Sequence, residues 1–256
     1  MQAKKRFGQN FLTDKKLLED LVSLINVDSN DRVLEIGPGK GDLTKILVNI
    51  CDSYFGIELD KDLLIFLKKK FPKNINAFIG GDILKLNPSE IYASKKFRVI
   101  GNIPYNISSP ILDWCEKHYE KILDMHFMLQ KEFALRCAGN EKTSSYGRLS
   151  IICNYLYEVT ILKEVSKEFF NPEPKVDSLF VRFYPKKKKV NQKELHNLKK
   201  VTRALFNKKR KKISNSLEDI LHKESIKKLN LNLNLRPDEL SLNEFLQISA
   251  LVKDDG

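Results

Sequence analysis

The sequence predicts an α/β fold, a mostly parallel sheet with helices on both faces, followed by a small all-helical domain. Three observations predict it. Short apolar runs alternate with helix-spaced segments from residue 32 onward, the pattern of strands joined by crossover helices. A glycine-rich turn, Gly37-Pro-Gly39-Lys-Gly41, follows the first of those runs. Beyond four lysines at residues 186–189 the strand signals stop and apolar residues recur at helical spacing.

The elements follow in order. Residues 14–26 space their apolar side chains as one helical face, with Asp14 as candidate N-cap. Arg32–Ile36 reads as a strand and 43–49 as a helix; 54–58 as a strand and Lys61–Lys70 as a helix. Residues 77–79 and 97–100 are further strands. A helix is expected over 109–118, a strand over 125–129, a helix over Lys131–Ala138, and another over 149–157. Residues 159–165 and 179–184 are the last strands, joined by a proline-containing loop at 171–175 too short for a crossover helix, so this last pair is expected to be antiparallel. Helical spacing returns at 195–206, 213–221 and 242–251, while 229–235 reads as loop or helix end. The lysine run places a boundary between domains 1–185 and 186–256.

Charge is uneven. The chain of 256 residues carries a net +12. Residues 1–185 hold 27 Lys/Arg against 24 Asp/Glu; residues 186–256 hold 18 against 9. A basic excess concentrated in the last quarter points to a polyanionic partner, with a solvated lysine face as the plainer alternative. No apolar stretch approaches the ~20 residues needed to span a bilayer, so no membrane partner is expected. The basic start lacks an apolar secretory core. Cys51, Cys115, Cys137 and Cys153 lie far apart, without Cys-x-x-Cys or ligand-spaced histidine. The expectation is no metal, reduced thiols and a cytoplasmic location.

The strand ends carry the chemistry. A dinucleotide fingerprint would place a third small residue where Asp42 stands. An acid is a poor neighbour for pyrophosphate but suits a cation, which favours S-adenosylmethionine over a nicotinamide cofactor. Glu58, 21 residues after Gly37, ends the second sheet strand and can accept both hydroxyls of a ribose. Asp82 follows the third strand and can either accept from an adenine amino group or cap a local turn. Asn102-Ile-Pro104-Tyr105 follows the fourth. Its asparagine oxygen and a nearby carbonyl can hold a planar, conjugated amine; Pro104 stiffens the turn, and Tyr105 offers a face for stacking.

Gln9-Asn-Phe-Leu12, Leu34-Glu-Ile-Gly-Pro-Gly-Lys-Gly-Asp-Leu-Thr44, Gly101-Asn-Ile-Pro-Tyr-Asn-Ile-Ser108 and Phe170-Asn-Pro-Glu-Pro-Lys-Val-Asp-Ser178 together resemble the rRNA adenine N6-dimethyltransferases, over nearly the whole chain. Met128-Leu-Gln-Lys-Glu132, Tyr146-Gly-Arg-Leu-Ser150, Arg203-Ala-Leu-Phe-Asn-Lys-Lys-Arg-Lys211 and Arg236-Pro-Asp-Glu-Leu-Ser241 resemble the KsgA-type branch, which acts on small-subunit rRNA, rather than the Erm-type branch, which acts on large-subunit rRNA.

The resemblance implies a Rossmann-like class I methyltransferase sheet over 1–185 and a basic helical RNA-binding domain over 186–256. It implies methyl transfer from S-adenosylmethionine, leaving S-adenosylhomocysteine, to two adjacent adenosines near the 3′ end of 16S rRNA within a pre-assembled small subunit, by a monomer. By resemblance Asn10 and Leu12 cover the cofactor, Gly37 meets its methionine end, Glu58 the ribose, and Asp82 and Ile83 the adenine. Glu35 supports them from behind. Asn102, which also borders the cofactor, holds the target base with Pro104 and Tyr105. Phe170 packs either near that base or in the core beside Phe169. Lys4, Lys5, Arg6 and residues 208–212 are expected to grip RNA phosphates. The alternatives are an Erm-type enzyme and a small-subunit assembly factor whose catalysis is secondary; Ile103, where DNA and protein-glutamine methyltransferases carry a second proline, disfavours those classes.

Overall fold

A computed structural model describes residues 4, 8–93, 95–187 and 189–253, so Lys5 and Arg6 lie outside the described residues. Two compact units divide the chain, residues 1–134 with 160–185 and residues 135–159 with 186–256.

The first unit opens with β1 (Phe11–Leu12) and α1 (Lys15–Ile25). Asp14 caps α1 by accepting from Leu17 N at 2.7 Å, as its position predicts. Leu17, Leu18, Leu21, Val22 and Ile25 form the buried face. Next come β2 (Arg32–Ile36), α2 (Thr44–Ile50), β3 (Ser53–Glu58), α3 (Lys61–Lys70) and β4 (Phe78–Gly80). They lead to α4 (Ser89–Tyr92), β5 (Phe97–Asn102), α5 (Ser108–Lys117), β6 (Ile122–Gln130) and α6 (Lys131–Ala138). After α7 (Arg148–Leu156) the chain forms β7 (Tyr157–Val165), β8 (Phe170–Asn171) and β9 (Ser178–Pro185).

Seven strands form one sheet in the order β4-β3-β2-β5-β6-β9-β7. The pairs from β4 through β6 are parallel, and β9 runs antiparallel to β6. Val33, Leu34, Val99 and Ile100 are fully buried, as central parallel strands covered on both faces require. The chain leaves β2 toward β3 and β4 and returns to β5 on β2's other side. That reversal opens a crevice at the carboxyl ends of β2 and β5. At the other end of these strands Arg98 closes the core. It pairs with both Asp124 oxygens (2.9 and 2.8 Å) and donates to the Ile25 carbonyl at the end of α1 (2.6 Å).

The sequence did not foresee the second sheet. β1 pairs antiparallel with β8, Phe11 opposite Asn171 and Leu12 opposite Phe170. This pairing ties residues 11–12 to the loop expected before the last strand, and Thr13 N extends it to the Phe169 carbonyl (3.1 Å).

The second unit is helical. By packing, residues 135–156 belong with it, because α7 lies against α8 (Gln192–Phe206) and α11 (Leu242–Ser249), and residues 157–159 begin strand β7. Between those two are α9 (Ser214–Leu217) and α10 (Lys223–Lys228). The helix expected over 213–221 thus shrinks to one turn, and residues 229–235 are turn and coil. Asn191 caps α8, a Ser241–Glu244 capping box starts α11, and Phe206 stacks on Phe245 at 6.0 Å between centroids. All four cysteines are free and buried. Among the described residues no helix is long and apolar enough to cross a membrane, and no group of three or more His, Cys, Asp or Glu could hold a metal.

Candidate active site

The crevice at the β2–β5 switch is a cavity of about 270 Å³, near the small end of the ~300–1,000 Å³ typical of small-molecule sites. Its walls come from the carboxyl ends of β2, β3, β4 and β5 and from residues 8–12. Asn10, Leu12, Gly37, Glu58, Asp82, Ile83, Asn102, Pro104 and Tyr105 all line it. Phe170 does not. It is 4 % exposed, in the buried cluster that also holds Leu12, Met128 and Phe180, and it sits opposite Leu12 of the cavity wall in the β1–β8 pair; its neighbour Phe169 is the exposed ring.

The turn after β2 needs its glycines. Gly39 and Gly41 have φ of 62° and 75°. A Cβ at Gly41 would stand 2.6 Å from the Phe71 ring, and one at Gly39 would stand 3.0 Å from Phe11. The turn brings the Gly39 N–H to Glu58, whose Oε2 accepts it at 3.0 Å; Glu58 Oε1 accepts the Asp60 N–H at 2.9 Å. Burial raises the Glu58 carboxyl above its ordinary range, and these two N–H bonds oppose the rise. Each oxygen keeps lone-pair capacity toward the cavity.

Glu35 lies behind the turn, 3 % exposed, and accepts from Thr44 Oγ1 (2.7 Å) and from the Tyr54 hydroxyl. Burial pushes its carboxyl up to about 7, the bonds from Tyr54 and Thr44 pull it down, and the charges of Glu58 and Asp42 push it up further. Asp82 caps the local turn and also lines the cavity; its Oδ1 accepts from Leu84 N at 3.0 Å, at the start of Ile83–Lys85.

The Asn102–Tyr105 turn is held from three sides. Asn102 Nδ2 donates to the Asn10 carbonyl at 2.7 Å, which leaves Oδ1 as the acceptor end of the amide. Ile103 N donates to the Met128 carbonyl at 3.1 Å, pinning the turn to β6. Tyr105 shares a 3.0 Å hydrogen bond with Ser178 Oγ, a fully buried residue of β9. Burial raises the Tyr105 hydroxyl pKa; the Ser178 bond offsets part of the rise.

Among the described residues four carboxylates line the cavity, Glu35, Asp42, Glu58 and Asp82, and one lysine, Lys40. Lys40 Nζ stands over the Phe11 ring at 4.7 Å. An acidic hollow in a protein of net +12 favours a cationic small molecule over a phosphorylated one.

Sequence reasoning missed Phe11, Leu59 and Asp60. Leu59 is 52 % exposed at the cavity rim and directly follows β3, a position visible once Glu58 is recognised as a strand end. Phe11 pairs with Asn171, and Asp60 binds Lys4 and Gln9 besides its local cap; these distant partners gave no local signal.

A sequence profile described as ribosomal RNA adenine dimethylase matches residues 1–254. A protein of Coxiella burnetii named ribosomal RNA small subunit methyltransferase A is 38 % identical over 255 residues, covering 98 % of each chain. One of the same name from Colwellia psychrerythraea is also 38 % identical, over 99 % of this chain and 85 % of its own. Among solved structures, a dimethyladenosine transferase from Plasmodium falciparum superposes with a TM-score of 0.77 at 27 % identity, covering 94 % of this chain and 99 % of the other. The 23S rRNA methyltransferase ErmE gives 0.72 at 25 % identity, covering 94 % and 98 %.

Proposed function

The chain belongs to the ribosomal RNA adenine dimethylase family, and from that premise we propose that the acidic cavity holds S-adenosylmethionine while Asn102 and Tyr105 present N6 of a small-subunit rRNA adenosine to it. The protein is an S-adenosylmethionine-dependent rRNA adenine N6-dimethyltransferase. Its proposed substrate is a pair of adjacent adenosines near the 3′ end of 16S rRNA, in a pre-assembled small subunit during ribosome biogenesis. The products are N6,N6-dimethyladenosine and S-adenosylhomocysteine. The working unit is proposed to be a monomer, acting in the cytoplasm where its rRNA is assembled.

The carrying observation is the convergence of Glu58, Asp82 and Asn102 on a single acid-lined cavity. Bound there, S-adenosylmethionine supplies an electrophilic methyl on a positively charged sulfonium. Glu58 is assigned the ribose hydroxyls, and Asp82 with Ile83 the cofactor adenine. Gly37 faces the methionine end, and Asn10 and Leu12 form the covering wall.

Adenine N6 is a weak nucleophile because its lone pair is delocalised into the ring. Asn102 Oδ1 accepts one of its N–H groups. The Pro104 carbonyl already accepts from Ile107 N (3.1 Å), so the Ile103 carbonyl is assigned the other. Two acceptors favour a pyramidal nitrogen with its lone pair aimed at the methyl. Orientation of this kind is worth roughly 7–11 kcal/mol. The methylated nitrogen is strongly acidic and gives its proton to water, so no basic side chain is needed. One N–H remains after the first transfer and supports a second. Tyr105 offsets by stacking the cost of a few kcal/mol for unstacking the target base.

The test is labelled methyl transfer to unmethylated small and large subunits, with the modified nucleosides mapped. Dimethyladenosine confined to the small-subunit RNA is expected. Transfer only to the large subunit would replace this reading with that of the ErmE branch. An Asn102→Ala protein that fully supports small-subunit maturation would shift the main role to assembly.

A further inference from the structure

Asp60 stands just outside the cavity and is 3 % exposed. Its carboxylate gathers three elements. Oδ1 accepts from Asp62 N at 3.0 Å, the cap of α3, and from Lys4 Nζ at 2.7 Å. Oδ2 accepts from Gln9 Nε2 at 3.1 Å. Gln9 in turn accepts the Lys4 backbone N–H through Oε1 at 2.8 Å. On its other side the Asp60 N–H donates to Glu58 Oε1 at 2.9 Å.

These bonds form a continuous path. It runs from Glu58 through Asp60 to Gln9, then one residue along the backbone to Asn10, whose carbonyl accepts from Asn102 Nδ2. Residues 8–12 are one wall of the cavity, and Gln9 is the residue of that wall bound to Asp60. A buried carboxylate that did nothing but cap α3 would need only the Asp62 N–H. The extra lysine and glutamine make charge-assisted bonds, roughly twice as strong as neutral ones.

We propose that Asp60 is a positioning residue: through Gln9 and Lys4 it latches residues 8–12 against the cofactor, and through the Asn10 carbonyl it fixes the orientation of the Asn102 amide. This rests on the reading of the cavity as the S-adenosylmethionine site. The latch couples two functions that lie at opposite walls, cofactor affinity and presentation of the target amine, so loosening it changes both.

Asp60→Asn separates latch from cap. Asparagine caps helices as well as aspartate does. It removes one of the two charges that hold Lys4, leaving the Lys4 bond to Asp62 at 2.6 Å, and it has one acceptor oxygen where Asp60 has two. The expected result is weaker S-adenosylmethionine binding by about tenfold or more, as for loss of a charged hydrogen bond, together with a lower kcat at saturating cofactor and a Tm near that of the unaltered protein. Lys4→Met, which leaves the cap untouched, should weaken binding in the same direction. The double variant should fall short of the summed single effects. Unchanged Kd and kcat in Asp60→Asn, or strictly additive effects, would overturn the latch. Failure of the unaltered protein to bind S-adenosylmethionine would instead overturn the reading of the cavity, and the latch with it.

Discussion

Asn102 Nδ2 donates to the backbone of a residue 92 positions earlier, the Asn10 carbonyl, at 2.7 Å. The bond decides which end of the amide faces the target base. Asn102→Asp keeps the size but replaces the donor by a second oxygen, which meets the Asn10 carbonyl with like partial charge. Asn102→Ala removes both ends. Both should slow methyl transfer by on the order of 10²–10³, the cost of losing one oriented transition-state contact. Cofactor affinity should fall far less than turnover. Equilibrium binding measured beside single-turnover rates checks this; loss of affinity matching the loss of rate would argue against Asn102 as the amine holder.

Tyr105 divides its work between ring and hydroxyl. Tyr105→Phe keeps the stacking face and breaks only the bond to Ser178. Tyr105→Ala also removes stacking worth about 1–3 kcal/mol per base. The alanine variant should therefore raise the KM for RNA by about 5- to 150-fold, and the phenylalanine variant much less. Steady-state kinetics on the intact small subunit measures the difference. Equal defects in the two would mean that the hydroxyl, not the ring, is what matters.

Glu35 should make the fold less stable as pH rises. Its carboxyl is raised to about 7 in the folded chain, against roughly 4.3 in an unfolded one. Between those values the folded state holds the proton and the unfolded state does not. Stability therefore drops with increasing pH through that window and levels off above it. Asp60 and Asp124, both lowered on folding, slope the opposite way, so the total profile is mixed. The difference between the unaltered protein and Glu35→Gln isolates the term. Glutamine cannot ionise, and its amide oxygen can still accept from Tyr54 or Thr44. The stability of Glu35→Gln relative to the unaltered protein should rise by a few kcal/mol from pH 4.5 to pH 7. Parallel profiles from denaturant titrations would show that Glu35 is not protonated near neutrality.

Much of the site was legible because strand ends are legible. Periodicity placed the ends of β2 and β3 and came within two residues of those of β4 and β5, and residues at or just past the ends of parallel strands line the ligand crevice, which brought Gly37, Glu58, Asp82 and Asn102 together without any contact information. What failed was whatever depends on partners far away in the chain. A two-residue strand such as Phe11–Leu12 shows no period, and its mate Phe170–Asn171 lies about 160 residues on. The Phe169–Phe170 doublet fixes that one ring faces in and one out, but not which. Asp60 looks in sequence like an ordinary cap for α3; Lys4 and Gln9 reveal its second use only in three dimensions. In the helical unit, residues 213–221 had the right spacing but form only the turn Ser214–Leu217.

The basic turn after α8 should hold two kinds of cation. Lys208 donates to the Asn215 carbonyl and pairs with Asp219 at 3.1 Å, and Lys212 donates to Asn234 at 2.9 Å. These two brace the turn against its own unit. Arg210 and Lys211 are exposed and are the residues placed to meet phosphates. Each phosphate contact contributes roughly 0.7–0.9 to the slope of log affinity against log salt. Arg210→Ala with Lys211→Ala should lower that slope by about 1–2 and weaken RNA binding at low salt, leaving Tm unchanged. Lys208→Ala with Lys212→Ala should instead lower Tm, and weaken binding only as far as the turn loosens. Binding titrations across a salt series distinguish the pairs. An unaltered slope in the first double variant would remove this turn from the RNA interface and leave the basic excess of residues 186–256 as a solvated face.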